Sequence, residues 1–325
     1  MRIAAVSRFA VVSIVVLLSA GVARAQNQPA RDQPPATEQA DKPQAGSAKP
    51  KEPAPPLFPS HRRGFYKNAK GDEVIDATPQ SPPLDTDDPG VPDKGEFEIN
   101  ILGHADYARE SKRFDLVTVD ANYGTLPVIA GYRLPTQIKF EFPLAAAREA
   151  DQPYSVGLGT AKFGVKFNFY RDEHRGISVS LYPQIEFATP GGRGAEKGLA
   201  ENGQTVILPL LVAREFHEFT FVFNGLVEKA IHDPGRAAAS EFGVAFGRAL
   251  TRKVAAMIEL RTHSSLDLKD DRLFYVNGGF IHGVRNVIFY FNLGHSLFSD
   301  DGFSHTYAGV GIKTIFDPLK HHNRS

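Results

Sequence analysis

Ile177-Ser178-Val179-Ser180-Leu181-Tyr182-Pro183-Gln184-Ile185-Glu186-Phe187 alternates without a break. Ile177, Val179, Leu181, Pro183, Ile185 and Phe187 are apolar, and every residue between them is polar. Successive side chains of a strand point to opposite faces, so this segment has one apolar face and one wet face. The pattern returns between Glu96 and Phe316, and strands are expected at 96–108, 115–126, 136–145, 154–171, 177–189, 204–214, 217–230, 240–249, 253–263, 272–282, 286–296 and 305–316. Each has about the ten residues that a tilted membrane strand needs, and an even count leaves both termini on one side of a membrane. The expected fold is all-β: a transmembrane antiparallel up-and-down β-barrel of about 12 strands. It occupies 95–316, with a short periplasmic tail at 317–325. A soluble periplasmic lipid-binding sandwich is the rival reading of the alternation.

The connections separate the two. Outer-membrane barrels have short periplasmic turns and longer external loops. If the first strand runs outward, the inner turns are 172–176, 215–216, 250–252 and 283–285. The outer loops are 109–114, 146–153, 190–203, 231–239, 264–271 and 297–304. Short and long alternate except at the inner turn 127–135, and a sandwich has no reason to show such a rule.

The N-terminus supplies the address. Arg2 and Arg8, an apolar stretch from Phe9 to Val22 and Ala23-Arg24-Ala25 read as a secretory signal peptide over 1–25, exported through the Sec pathway. No cysteine follows the cleavage site, which excludes a lipidated N-terminus. From 26 to 94 the chain reads as a disordered Pro-rich periplasmic arm and lead-in, with Gln33-Pro34-Pro35 and Glu52-Pro53-Ala54-Pro55-Pro56 too poor in apolar residues to fold. The acidic run Leu84-Asp85-Thr86-Asp87-Asp88-Pro89-Gly90 lacks the glycine and distal glutamate spacing of a calcium loop, and is expected as a turn entering the first strand.

Composition excludes several classes. The chain has 37 basic and 37 acidic residues; loss of Arg2, Arg8 and Arg24 with the signal leaves 34 basic, a net charge of −3. No basic excess suggests nucleic acid as a partner. With no cysteine there is no disulfide or thiolate metal site, and no cofactor is expected. After Val22 no stretch is apolar for the length of a helical span.

A barrel gives each strand face a destination. Strand four sets Thr160, Lys162, Gly164, Lys166 and Asn168 against Phe163, Val165, Phe167 and Phe169. A charge facing lipid at mid-membrane costs about 2–4 kcal/mol, so the charged faces point inward. That places Glu98, Asp120, Lys139, Glu141, Lys162, Lys166, Glu186, Glu259 and Arg261 in the lumen, as the lining of a selective pore or as an ion-pair network that closes it. Strand six, Val206 to Ala213, is apolar on both faces and suits packing against a plug or a helix in the lumen. Gly243, Ala245, Gly247, Gly309 and Gly311 are small inward positions, with room for a solute or relief of crowding. Gly311 and the terminal aromatic Phe316 look like the signal read by barrel-assembly machinery, although 317–325 continue past it.

No catalytic set stands out. His263 and Ser264 are adjacent on one strand and point to opposite faces, so they cannot pair as nucleophile and base. Gly157-Leu158-Gly159 starts a strand with no helix behind it and is not a phosphate loop. His321 and His322 read as solvated.

Several short motifs, taken in order, resemble the outer-membrane transporter family labelled "MetA-pathway of phenol degradation". They are Leu84 to Gly90 with Gly95-Glu96-Phe97-Glu98-Ile99-Asn100, Ala121-Asn122-Tyr123-Gly124, Gly157-Leu158-Gly159 leading into Lys162 to Lys166, Leu181-Tyr182-Pro183-Gln184, and Leu208-Pro209-Leu210 before Ala213-Arg214. The resemblance covers about 80–316. It implies a membrane barrel that moves small organic compounds, among them aromatic ones, and it carries over no catalytic residue.

The sequence therefore leads to a non-enzymatic outer-membrane channel for passive passage of small organic solutes. Its expected partners are outer-membrane lipid and lipopolysaccharide, the barrel-assembly machinery and a small-molecule solute. The alternatives are a closed structural or ligand-binding barrel and, further off, an outer-membrane hydrolase.

Overall fold

The computed structural model describes residues 64–67, 72–108, 111–149, 152–201, 203–216, 219–231, 235–300, 302 and 304–318. The signal peptide, the Pro-rich run up to 63 and His321 and His322 lie outside the described residues.

Twelve antiparallel strands form one closed sheet: β1 Phe97–Tyr107, β2 Ser111–Thr125, β3 Thr136–Glu149, β4 in two pieces (Ser155–Leu158 and Thr160–Asp172), β5 in two pieces (Ile177–Leu181 and Gln184–Ala188), β6 Gln204–Phe216, β7 Phe219–Ile231, β8 Ala239–Ala249, β9 Val254–Ser265, β10 Leu273–Val284, β11 Val287–Ser299 and β12 Thr306–Phe316. Each strand pairs with the next, and β12 returns to β1 with Phe316 opposite Phe97 and Thr306 opposite Tyr107. Closure leaves no unpaired edge, which is what a sheet surrounded by hydrocarbon requires. Among the described residues no helix is long and apolar enough to cross a membrane, which says nothing about strands.

Alternation sets the walls. Along β11, Phe289, Phe291 and Leu293 are exposed while Tyr290 and Asn292 are buried. Phe140, Phe142 and Leu144 on β3, Val206 and Leu208 on β6 and Val310 and Ile312 on β12 extend the outer apolar face. Such a wide exposed apolar surface suits a hydrocarbon surround and would be a liability in water.

The strand boundaries depart from the expected ones in three places. Strand four is interrupted at Gly159, where the amide N–H bonds the Pro143 carbonyl. Strand five is interrupted at Tyr182-Pro183: the Tyr182 N–H donates to the Pro209 carbonyl, and proline has no N–H to give the ladder. Strand β2 begins at Ser111, so most of the loop expected at 109–114 is strand. The long inner turn at 126–135 carries its own small hairpin, Val128–Ile129 with Tyr132–Arg133, turned by Ala130 and Gly131 at positive φ.

The larger correction concerns the lead-in. Residues 72–96, expected as the end of a disordered arm, lie inside the barrel. A short hairpin, Phe65–Lys67 with Glu73–Ile75, stands at the end where β1 begins. From there Ile75, Ala77 and Leu84 bury against Ala245, Ala255, Met257, Ile281, Ile288 and Tyr290 of β8–β11. The chain then crosses the lumen and descends to Gly95, whose N–H meets the Gly124 carbonyl, before entering β1. Small wall residues make the path. A Cβ at Gly247 would collide with the Ala77 carbonyl, one at Gly243 with the Thr86 hydroxyl, and one at Gly124 with the Asp93 carbonyl. The inward glycines of β8 thus leave room for the protein's own chain.

Candidate functional site in the lumen

The segment's apex sits at mid-height and is held almost wholly by wall side chains. Glu259 of β9, 1% exposed, accepts hydrogen bonds from the N–H groups of Asp85 (3.2 Å) and Thr86 (2.6 Å), and also from the Thr86 hydroxyl. Asn224 of β7 clamps the backbone of Asp87 from both sides: its Oδ1 accepts from the N–H at 2.6 Å and its Nδ2 donates to the carbonyl at 2.8 Å. Lys166 of β4 is fully buried, 3.0 Å from the Asp87 carboxylate, and donates to the Asp88 carbonyl at 2.7 Å. Asn168 and Ser180 both donate to the Pro89 carbonyl. Lys313 of β12 donates to Gln80 at 2.6 Å and lies 3.3 Å from Glu98. Buried cations and amides are costly alone, and here each finds a carboxylate or carbonyl of the segment or its neighbour.

Beyond the apex lies a cavity of about 300 Å³. Its floor is Ser81–Asp87, and its walls come from most of the barrel strands. Six wall carboxylates face it, those of Asp115, Asp120, Glu141, Glu186, Glu228 and Glu241, and the segment adds Asp85 and Asp87. Against these eight stand three wall cations, Lys139, Lys162 and Arg261. Lys139 is shared between Asp120 (3.3 Å) and Glu141 (3.2 Å). Arg261 is shared between Asp85 (2.8 Å) and Glu241 (2.5 Å), and Lys162 pairs with Glu186 at 2.8 Å. One side is apolar: Ile207, Pro209 and Leu211 of β6, with Leu226 of β7. The inward apolar face of strand six therefore fronts this space.

Of the nine residues assigned to the lumen from sequence, Asp120, Lys139, Glu141, Lys162, Glu186 and Arg261 border the cavity. Glu98, Lys166 and Glu259 lie lower and are engaged with the segment or with its partner Lys313. Gly311 leaves space filled by the Tyr290 hydroxyl, and Phe316 stacks on Phe97 at 5.7 Å across the closing seam. Sequence reasoning passed over Tyr182, Asn224 and the plug residues Gln80 and Thr86. Tyr182 and Asn224 stood in the inward register of β5 and β7; Gln80 and Thr86 had no periodicity to mark them.

A serine and a histidine do meet, though not the pair considered from sequence. Ser304 Oγ is 3.1 Å from His295 Nε2, and His295 Nδ1 is 2.8 Å from the Thr306 hydroxyl. The group is exposed, and a neutral hydroxyl stands where a carboxylate would stabilise an imidazolium. Among the described residues no group of three or more His, Asp or Glu is arranged to hold a metal.

No protein-family model matches the chain, and no curated protein matches it. Solved structures do. An outer membrane channel from Pseudomonas putida F1 superposes with a TM-score of 0.54 at 12% identity, over 70% of this chain and 97% of that one. The NanC porin (TM-score 0.44, 7% identity, 66% and 98% covered) and the KdgM porin crystallised with disordered oligogalacturonate (0.42, 7%, 67% and 99%) are more distant, too distant to carry an argument. The first of these likenesses shows the fold, and with the closure seen here this is a closed 12-stranded antiparallel β-barrel of the outer-membrane type.

Proposed function

We propose that the protein is an outer-membrane channel for small solutes, its lumen interrupted by the chain's own residues 72–96. The observation that carries this reading is the polar cavity of about 300 Å³ enclosed by an apolar-skinned barrel and floored by a segment bonded mainly through side chains. Such a floor can shift without unzipping the barrel: its tie to the wall runs through side-chain hydrogen bonds, ion pairs and a small apolar cluster rather than through the sheet. The path for a solute then runs past or in place of the segment. Membership of the phenol-degradation family, Sec export, and recognition of Gly311 and Phe316 by assembly machinery belong to the same proposal, supported by the motifs quoted above. The exposed Ser304–His295–Thr306 group, with a hydroxyl where a triad has its carboxylate, gives no reason to add a hydrolase.

The test is single-channel conductance of refolded protein in planar bilayers, with the segment locked in place. The Thr86 Cβ lies 3.8 Å from where a Cβ at position 243 would stand, the spacing of a disulfide, and the chain has no cysteine of its own. Oxidised Thr86→Cys/Gly243→Cys is expected to be silent or nearly so, with current restored by reduction to the level of the unmodified protein. If a folded barrel carries no current in any of these states, the channel reading fails and a closed ligand-binding barrel takes its place.

A further inference from the structure

We infer that the cavity above the segment takes a small organic ammonium ion, a cationic head on an apolar body. This names the solute class of the passage proposed above and rests on that reading for the route in and out.

Charge comes first. The lining sets eight carboxylates against three cations. Two further cations sit just behind it, Lys166 at 3.0 Å from Asp87 and Arg113 at 3.5 Å from Asp115. With both credited, three carboxylates remain in excess. Low-dielectric walls focus such a field, so an anion is repelled and a cation is drawn in.

A tyrosine supplies an independent sign of an occupant. Tyr182 borders the cavity with only 1% of its surface exposed, and its hydroxyl has no hydrogen-bond partner. Buried polar atoms are rarely left so, because an unmade bond leaves their desolvation uncompensated. An ammonium N–H would satisfy it. The Tyr182 ring already receives one cation, Lys166 Nζ at 4.9 Å from its centroid, and Gly164 makes the room in which the ring lies.

The apolar side decides between an organic cation and a bare one. Ile207, Pro209, Leu211 and Leu226 form a wall that a hydrated metal ion would leave unused, and Pro83 and Leu84 continue it across the floor. The volume lies at the small end of pockets that hold organic ligands.

The experiment is calorimetric titration of the refolded mature chain in detergent with three near-isosteric probes: 2-phenylethylammonium, 2-phenylethanol and 3-phenylpropionate. The ammonium is expected to bind about tenfold more tightly than either of the others. Tyr182→Phe should weaken it severalfold. Lys162→Gln, which removes a cation from the lining, should tighten it, a direction that a folding defect does not produce. Equal binding of the three probes, preference for the carboxylate, no binding at all, or weaker binding by Lys162→Gln would overturn the inference. Conductance separates the two readings. A barrel that conducts without selecting the ammonium sinks this inference alone; one that is silent in bilayers yet selects the ammonium sinks the channel and leaves the inference standing.

Discussion

Glu259 and Thr86 lie 173 residues apart in sequence and are joined inside the barrel by two hydrogen bonds, from the Thr86 amide at 2.6 Å and from its hydroxyl. The same carboxylate also receives Asn277 Nδ2 at 3.1 Å, so β9, β10 and the segment meet on one side chain. Glu259→Gln keeps the volume and loses the charge. Hydrogen bonds to a charged group are worth about 1.5–3 kcal/mol each, and part of that is retained by the amide. We expect a loss of about 1–3 kcal/mol in unfolding free energy, measured in urea from lipid vesicles, with more frequent conducting events in bilayers.

Lys162 and Lys166 are two repeats of the alternation apart on β4 and do different work. Lys162 borders the cavity with Glu186, whereas Lys166 is buried against Asp87 and the Asp88 carbonyl. Lys162→Gln should therefore shift the reversal potential toward cations in a salt gradient and cost less stability than loss of the buried lysine, because Glu186 keeps some access to water. Lys166→Met strands the Asp87 carboxylate and should cost about 3–5 kcal/mol. If the two variants behave alike in both assays, this division of roles is wrong.

Two glycines test whether the segment occupies its seat in the membrane. A Cβ at Gly247 would strike the Ala77 carbonyl, while one at Gly278 has its nearest neighbour, the Met257 carbonyl, at 4.0 Å. Gly247→Ala is expected to destabilise by about 1–3 kcal/mol and to raise conductance. Gly278→Ala should stay within about 0.5 kcal/mol of the parent. An unaffected Gly247→Ala protein would mean that the segment is elsewhere in the bilayer.

The outer face admits its own check. Leu208 is 49% exposed near the middle of β6, in the outward register. Leu208→Arg should lose about 2–4 kcal/mol of folding free energy in vesicles. In detergent the penalty should be smaller, since a micelle lets the guanidinium reach water.

The barrel was legible because its signal repeats. Nearly every strand carries the same two-residue period, and an exception such as β6 is diluted by eleven others. The segment at 72–96 had no such support. Its apolar residues, Ile75, Ala77 and Leu84, follow no period, and its prolines and acids read as solvated chain. Its complement, however, was visible on the walls. The inward glycines at 243 and 247 marked space that the segment fills, and Lys166 and Arg261 were inward cations that acids could pair. Asp85 and Asp87 are those acids. Matching the two required knowing which strands stand opposite each other at mid-height, and that is a property of closure and shear rather than of local sequence.

The bond between Gln80 and Lys313 spans 233 residues and ties the segment to the strand that closes the sheet. Side chains in a strand change face with every residue, so a closing strand that slipped by one position would turn Lys313 out toward lipid. Gln80 and Glu98 would then lose their shared cation. The segment can seat fully only in a wall closed in the right register, and because its partners extend to the last strand made, it settles after that strand. Seating thus acts as a proofreading step, in which the first part of the barrel domain to be synthesised inspects the last.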